Sequence, residues 1–383
     1  MRFTAPFLTA ILTLALIPCA GMELRAQEAD TQRTKSTGGS ISSEEGARTA
    51  DNSQQGITIN ASDLLPMLLL EAEKGNAQTM LTIGNLYESG MYGAVRNYGK
   101  ALEWYGKAAQ AGLPEGYYNV GICYELGMGT APDAAKAFES FLKSGDMGFA
   151  LAKQKLGELY LNGTGVLANP EKAVSYLTQA GDEGLPGAHF LLARTYLTGT
   201  ANIPQDAKKG LELLKRLSDK DYAVALNELG AISFLGQYDQ PKDYDKAKEL
   251  FTRGAELGNG DAMKNLGALL LDTSDDRVPN RTDALKWLTL STLFGYNNDS
   301  MQNFIQKLRS EMKPEEIQAA ENAVRSWYEA RQEEQRAAQE AAQEAARQTR
   351  EREGQGASGG APAKAPAPAK PPAPAKPPAP ANK

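Results

Sequence analysis

Small residues recur along this chain at an almost fixed interval. Gly84, Gly121, Gly157, Ala193, Gly230 and Gly267 are separated by 36 or 37 residues each time. A second series, Ala101, Ala137, Ala173, Gly210, Ala247 and Ala284, keeps the same beat about half a period later. Two small sites per period mark a pair of helices in close contact. A period of this length means one supersecondary unit that buries its apolar face only by stacking on its neighbours. The beat therefore predicts a tandem array, and function has to be sought on a surface.

Each period opens with a candidate first helix, read in QTMLTIGNLYESG, GYYNVGICYELG, AKQKLGELYLNG, AHFLLARTYLTG and ALNELGAISFLG. Glycine inside a helix costs roughly 1 kcal/mol relative to alanine, so its recurrence at Gly84, Gly121 and Gly157 calls for a packing reason, which a close helix contact supplies. Tyr87, Tyr124, Tyr160 and Tyr196 follow three residues on. Gly90, Gly127, Gly163, Gly199 and Gly236 come next, suited to left-handed C-terminal caps. The second helix starts after a polar or proline turn and carries apolar residues at three-to-four spacing, as in Leu102, Tyr105 and Ala109. Gly112, Gly148, Gly184, Gly258 and Gly295 end five of the six periods.

The shared pattern resembles the Sel1-like repeat, a cousin of the tetratricopeptide repeat. The match is close in the first period, at Ile83, Gly84, Tyr87, Gly90, Lys100, Ala101, Trp104, Tyr105, Lys107, Ala108, Ala109 and Gly112. It is close again in the third, at Leu156, Gly157, Tyr160, Gly163, Gly165, Val166, Lys172 and Ala173. It covers about residues 76–296. The last two periods depart from it, with Ser233 and Leu270 in place of the Tyr and Thr273 in place of the turn Gly. The resemblance implies an all-α fold, an α/α superhelical solenoid of six helix-pair repeats, and an adaptor or scaffolding role in place of catalysis.

The flanks divide further. Residues 1–26 read as a secretory signal, with Arg2 before an apolar stretch from Phe7 to Pro18 that is too short for a span of roughly 20 residues. Cleavage after Gly21 or after Ala26 fits. Pro18 argues against acylation at Cys19, so the chain reads as exported, periplasmic or secreted, and not as a lipoprotein. Removal of the signal leaves Cys123 without an internal disulfide partner, and its place two residues past Gly121 marks it as a buried apolar filler. Residues 27–56 are polar and read as a disordered leader. Residues 57–75 read as an N-terminal cap helix and 297–328 as two C-terminal capping helices, with Pro314, Glu315 and Glu316 suited to a helix start. Residues 329–353 form a charged helix whose only apolar side chain is Ala, a solvated rod in preference to a coiled coil. Residues 354–383 are rich in Pro, Ala and Lys and read as a disordered tail, with the proline run favouring polyproline II.

Little in the chain carries chemistry. His189 is the single histidine and falls on the packing slot that Tyr117 holds two repeats earlier. One His without a Cys cluster completes no common zinc set, no serine-elbow or phosphate-loop motif accompanies it, and the GMG and GTG triplets read as turns. Asp275 and Asp276 read as a solvated loop. Trp104, Tyr105 and Trp287 fall on packing positions. No catalytic, cofactor or metal residue is assigned, and a wall hydrolase would lack its constellation. A net charge of −6 with no basic stripe disfavours nucleic acid.

Two roles remain. In the first, the concave face lined by first helices captures a peptide or protein. By analogy with tetratricopeptide arrays, positions three and two before the small residue and one and four after it face that side. These place Asn85 and Glu88, then Tyr118, Asn119, Ile122 and Glu125, then Gln154, Glu158, Phe190 and Arg194 on it. In the second, the chain is an envelope spacer acting through the rod and tail, whose Lys364, Lys370, Lys376 and Lys383 offer contacts to an anionic surface.

Overall fold

A computed structural model describes residues 64–200, 202–274 and 277–356. The stretches read above as signal and leader, most of the Pro/Ala/Lys tail, and Asp275 and Asp276 lie outside these residues. The described residues form fifteen α-helices and no strand. α1 is Leu64–Ala72. Six pairs follow, namely α2 (Ala77–Ser89) with α3 (Tyr98–Gln110), α4 (Pro114–Leu126) with α5 (Ala134–Asp146), and α6 (Ala150–Asn162) with α7 (Pro170–Asp182). Then come α8 (Pro186–Thr198) with α9 (Ala207–Ser218), α10 (Ala223–Leu235) with α11 (Tyr244–Glu256), and α12 (Gly260–Leu269) with α13 (Arg281–Leu293). α14 (Asp299–Ser310) and α15 (Pro314–Gly356) close the chain. Residues 1–320 and 321–383 are separate compact units.

Within the first unit each helix packs on its sequence neighbours, as a solenoid requires. The small-residue beat now has its reason. A methyl group on Gly84 would lie 2.5 Å from Tyr105 Cε1, on Gly121 2.6 Å from Phe141 Cε1, and on Gly157 2.6 Å from Leu177 Cγ. The same contact recurs between Gly230 and Phe251 at 2.7 Å and between Gly267 and Leu288 at 2.6 Å. Five of the six pairs thus drive one bulky second-helix side chain into a notch on the first. These knobs are fully buried, each contributing about 1.5–3 kcal/mol by removal from water. Repeat 4 has Ala193 in the notch and turns the contact round, with Gly210 of α9 receiving Leu197 of α8.

The turn inside each pair is closed by main-chain atoms. Asn97, Asp133, Asn169, Asp206, Asp243 and Asn280 cap the second helices, each side chain accepting from the amide three residues on. The amide of the same residue donates to the first helix at the consensus Tyr position, from Asn97 to Tyr87 O at 2.7 Å through to Asn280 to Leu270 O at 2.9 Å. Above four of these links an ammonium sits over the tyrosine ring. Lys100, Lys136, Lys172 and Lys209 lie 5.1, 5.4, 5.2 and 5.4 Å from the centroids of Tyr87, Tyr124, Tyr160 and Tyr196.

Three local expectations change. Gly90, Gly127, Gly163 and Gly236 are left-handed caps, but Gly199 has φ 68° with ψ 168° and is not. Its chain leaves extended because Thr200 N donates to Ile203 O at 2.7 Å, while Gln205 Nε2 takes up the Leu197 carbonyl at 2.7 Å. Trp104 is half-buried under Lys107, 3.8 Å from the ring centroid, and is not core as Tyr105 and Trp287 are. Gly165 does more than turn the chain. A methyl there would lie 2.1 Å from Ala134 O, so the loop of repeat 3 rests on the start of α5 in repeat 2.

In the second unit the α15 side chains described from 329 to 349 are almost all exposed. Arg331 pairs with Glu334 at 3.0 Å, and Gln348 Nε2 donates to Glu344 at 3.2 Å. No helix among the described residues is long and apolar enough to cross a membrane.

Candidate interaction face

In repeats 3, 5 and 6 the residue two before the small one reaches toward a neighbouring first helix. Lys155 of α6 is held there, its side chain 7% exposed, with Nζ 3.0 Å from Glu125 of α4 and 3.6 Å from Glu158 on its own helix. At the next charged seam Glu228 of α10 feels Arg194 of α8. Burial pushes the Glu228 carboxyl above its usual range, Arg194 draws it back, and Asp261 adds to the rise. At the last seam Asn265 of α12, fully buried, donates through Nδ2 to Asn227 Oδ1 of α10 at 2.8 Å. Lys264 lies 3.5 Å from Asp261, which also accepts from the Tyr296 hydroxyl.

The residues expected on this face are placed as follows. Asn85 and Glu88 are half-buried on α2, where the Tyr105 hydroxyl reaches across from α3 to bond Glu88 and to lie 2.9 Å from Asn85 Oδ1. Tyr118 meets Phe141 at 5.5 Å and Phe149 edge-on at 5.3 Å between centroids. Ile122 packs on the same cluster as Phe141 and Leu156. Asn119, Glu125, Glu158 and Arg194 are half-buried. Gln154 is only 8% exposed, with Nε2 3.4 Å from Glu158 Oε1 and its own Oε1 buried without a hydrogen-bond partner.

Phe190 is 4% exposed and faces Tyr222 at 6.1 Å in a core cluster, so it forms floor beneath the surface. The structure thus gathers Glu125, Gln154 and Glu158 into one cluster around Lys155 and keeps Asn85 with Glu88 in another. Sequence reading missed Lys155, Glu228, Asn227 and Asn265. For Lys155, Glu228 and Asn265 the signal was the position two before the small residue, occupied by Asn119, Lys155, Leu191, Glu228 and Asn265 in successive repeats, and for Asn227 the position before it.

The residues with chemical potential elsewhere are packed away. Cys123 is buried and its thiol is pushed up to about 12 by burial and by the Glu88 charge, which leaves it protonated and inert at neutral pH. His189 Nε2 lies 3.4 Å from Asp182 Oδ1, and its ring occupies the space beside Gly181. Burial lowers its pKa from 6.5, against the pull of Asp182. No group of three or more potential metal ligands occurs among the described residues. The face offers hydrogen bonds, charges of both signs and an apolar floor, which is recognition chemistry.

Comparison with known proteins follows the same boundaries. A family model, the Sel1 repeat, matches residues 77–113, 114–149, 150–185, 186–222, 223–259 and 260–292. A Sel1 repeat protein from Oxalobacter formigenes is similar in structure, with TM-score 0.53 at 27% identity over 61% of this chain and 94% of that one. A protective antigen of uropathogenic Escherichia coli strains displaying an SLR fold matches with TM-score 0.46 at 19% identity, covering 71% of this chain and 72% of that one. Among curated proteins, the ERAD-associated E3 ubiquitin-protein ligase component HRD3A of Arabidopsis thaliana is 40% identical over 63 residues, 16% of this chain and 9% of that protein. The chain thus spans less than a tenth of that relative.

Proposed function

Because the chain belongs to the Sel1 repeat family, whose members are generally protein–protein interaction scaffolds, we propose that it is an exported bacterial scaffold that captures a peptide or protein partner on its first-helix face. The observation that carries this reading is the row of half-exposed polar side chains, Asn85, Glu88, Asn119, Glu125, Glu158 and Arg194, standing on successive first helices. Neighbouring groups hold several of them in place, Tyr105 at Glu88 and Lys155 at Glu125 and Glu158, so little ordering entropy remains to be lost on binding. Export rests on the charged and apolar pattern of residues 1–26, and the relative from Oxalobacter formigenes is in keeping with a bacterial source.

The test is affinity capture from envelope extract with the tagged full chain and with a variant in which Asn119, Glu158 and Arg194 are all Ala. These side chains are half-buried and Lys155 keeps Glu125 when Glu158 is lost, so the variant should stay folded, which an unchanged far-ultraviolet circular dichroism spectrum checks. Recovery of the partners should fall at least about tenfold, a loss of about 1.4 kcal/mol. Equal recovery by the variant refutes the assignment of the face.

The spacer reading is favoured by one observation, the nearly complete exposure of the α15 side chains from 329 to 349. Removal of residues 329–383 should leave partner capture intact if the first-helix face binds, and should abolish function if the chain is a spacer.

A further inference from the structure

We propose that α1 is a self-association site, at which two copies of this chain lay their α1 helices side by side in antiparallel sense. In the count of the repeats α1 falls where a second helix belongs, since Gly75 stands one period before Gly112. The position four after each second-helix small residue is buried in all six repeats, from Tyr105 to Leu288. One period before Tyr105 that position is Leu68 of α1, and Leu68 is only half-buried. Beside it Met67 is 51% and Leu70 64% exposed. The solenoid itself has no need of an apolar side chain at Leu70. Repeats 1–5 carry Lys107, Lys143, Gln179, Arg216 and Arg253 at the same place, and repeat 6, which does have a leucine there, buries its Leu290 completely.

The rest of the chain narrows what can cover these side chains. One period before the notch of repeat 1 the sequence has Glu44, Gly46 and Thr49 where α2 has the buried Leu81, Ile83 and Leu86. Ile41, Ile57 and Ile59 are the only large apolar residues from 27 to 63, so no first helix of the repeat kind is written there. Head-to-tail stacking of copies fails as well, because α14 at the other end of the array contains neither glycine nor alanine and offers no notch to Leu68. The α1 of a second copy remains, and its charge pattern suits it. Leu64 to Leu70 is free of charge, and Glu71, Glu73 and Lys74 follow. Antiparallel sense lays the two uncharged stretches together and keeps the carboxylates of the copies at opposite ends of the joint, whereas a parallel pair would bring all four together. Such a contact is the same on both sides and closes at two copies.

Sedimentation equilibrium of the full chain over a concentration series tests this. A reversible dimer should form, a weak one because α1 is only 9 residues long, and Leu70→Lys, which writes in the residue of repeats 1 and 2, should raise its dissociation constant at least about tenfold. Leu167→Lys in the loop of repeat 3, at a leucine 89% exposed, should leave the dimer unchanged. In the antiparallel pair Met67 of one copy faces Leu70 of the other. An equimolar mixture of Met67→Glu chains with Leu70→Lys chains should therefore associate more tightly than either variant alone, and no recovery in the mixture overturns the antiparallel sense. A chain that stays monomeric to about 0.5 mM overturns the proposal outright. So does a dimer that Leu70→Lys fails to weaken, which is then built elsewhere, as by the apolar stretch from Phe7 to Pro18. Met67 and Leu70 are both exposed, so the variants should keep the parent's far-ultraviolet circular dichroism, which ties lost association to α1 and not to the fold.

Discussion

Repeats 1–4 and repeats 5–6 close the same helix pair with different means. In the first four, a tyrosine on the first helix carries the lysine that follows the second-helix cap, at ring distances of 5.1–5.4 Å. In the last two, Ser233 and Leu270 occupy the tyrosine position, and the pair closes all the same. Asp243 N still donates to Ser233 O at 2.8 Å and Asn280 N to Leu270 O at 2.9 Å, and both caps are made. The notch-and-knob contact is also kept, Gly230 with Phe251 and Gly267 with Leu288.

Repeat 6 adds a local substitute. Its first helix ends at Leu269, and Arg277 is fixed by Asp272 at 3.2 Å and stacked 4.0 Å over the ring of Tyr244, whose hydroxyl donates to Leu269 O. The difference teaches that the main-chain link and the small-to-large contact define the repeat, and that the Tyr–Lys stack decorates it.

The comparison can be broken most severely at the notch. Replacing Gly157 or Gly267 by Leu should cost about 1–3 kcal/mol in either half, read by chemical denaturation, since both meet a buried Leu at 2.6 Å. Unequal penalties would mean that the two halves do not share their packing. The cap should matter less and just as evenly. Asp133→Ala and Asp243→Ala should each lose about 1 kcal/mol, and a much larger loss at Asp133 would return weight to the stack above it. The mildest change is Tyr124→Leu, which writes the repeat 6 residue into repeat 2. It should lower stability by about 1 kcal/mol or less while far-ultraviolet circular dichroism stays at the parent's helical signal.

How far the sequence could be read follows the same division. The beat of Gly84, Gly121 and Gly157 announced close helix contact because a glycine inside a helix needs a reason, and the structure supplies Tyr105, Phe141 and Leu177. The capping Asn and Asp residues were visible as polar turns. The turn after α8 was not, because Gly199 looks like its counterparts in sequence and is diverted by a hydrogen bond from Thr200 to Ile203. Gly165 was read as a turn because its contact, Ala134 O, belongs to another repeat.

The candidate face was legible only in part for that reason too. Asn119, Glu125 and Glu158 follow from one helix's periodicity. Lys155 meets Glu125 and Asn265 meets Asn227 only when whole repeats stack, across 30 and 38 residues of chain. Phe190, chosen by the same periodicity, turns inward because Tyr222 and the α9 leucines cover it.

The amide-to-carbonyl link between a second-helix cap and the first helix has a consequence for how such a chain can change length. A joint made of main-chain atoms is indifferent to which side chain is written beside it. Copying or excising one whole period therefore brings together ends that already fit, provided the cut falls at the same phase of the count. Removing 36 residues between Ala150 and Leu185, for example, would set Phe149 before Pro186, a first-helix start like the one that Leu113 gives Pro114. The polar letters that vary from one period to the next are then free to drift toward a new ligand while the joint goes on being copied unchanged.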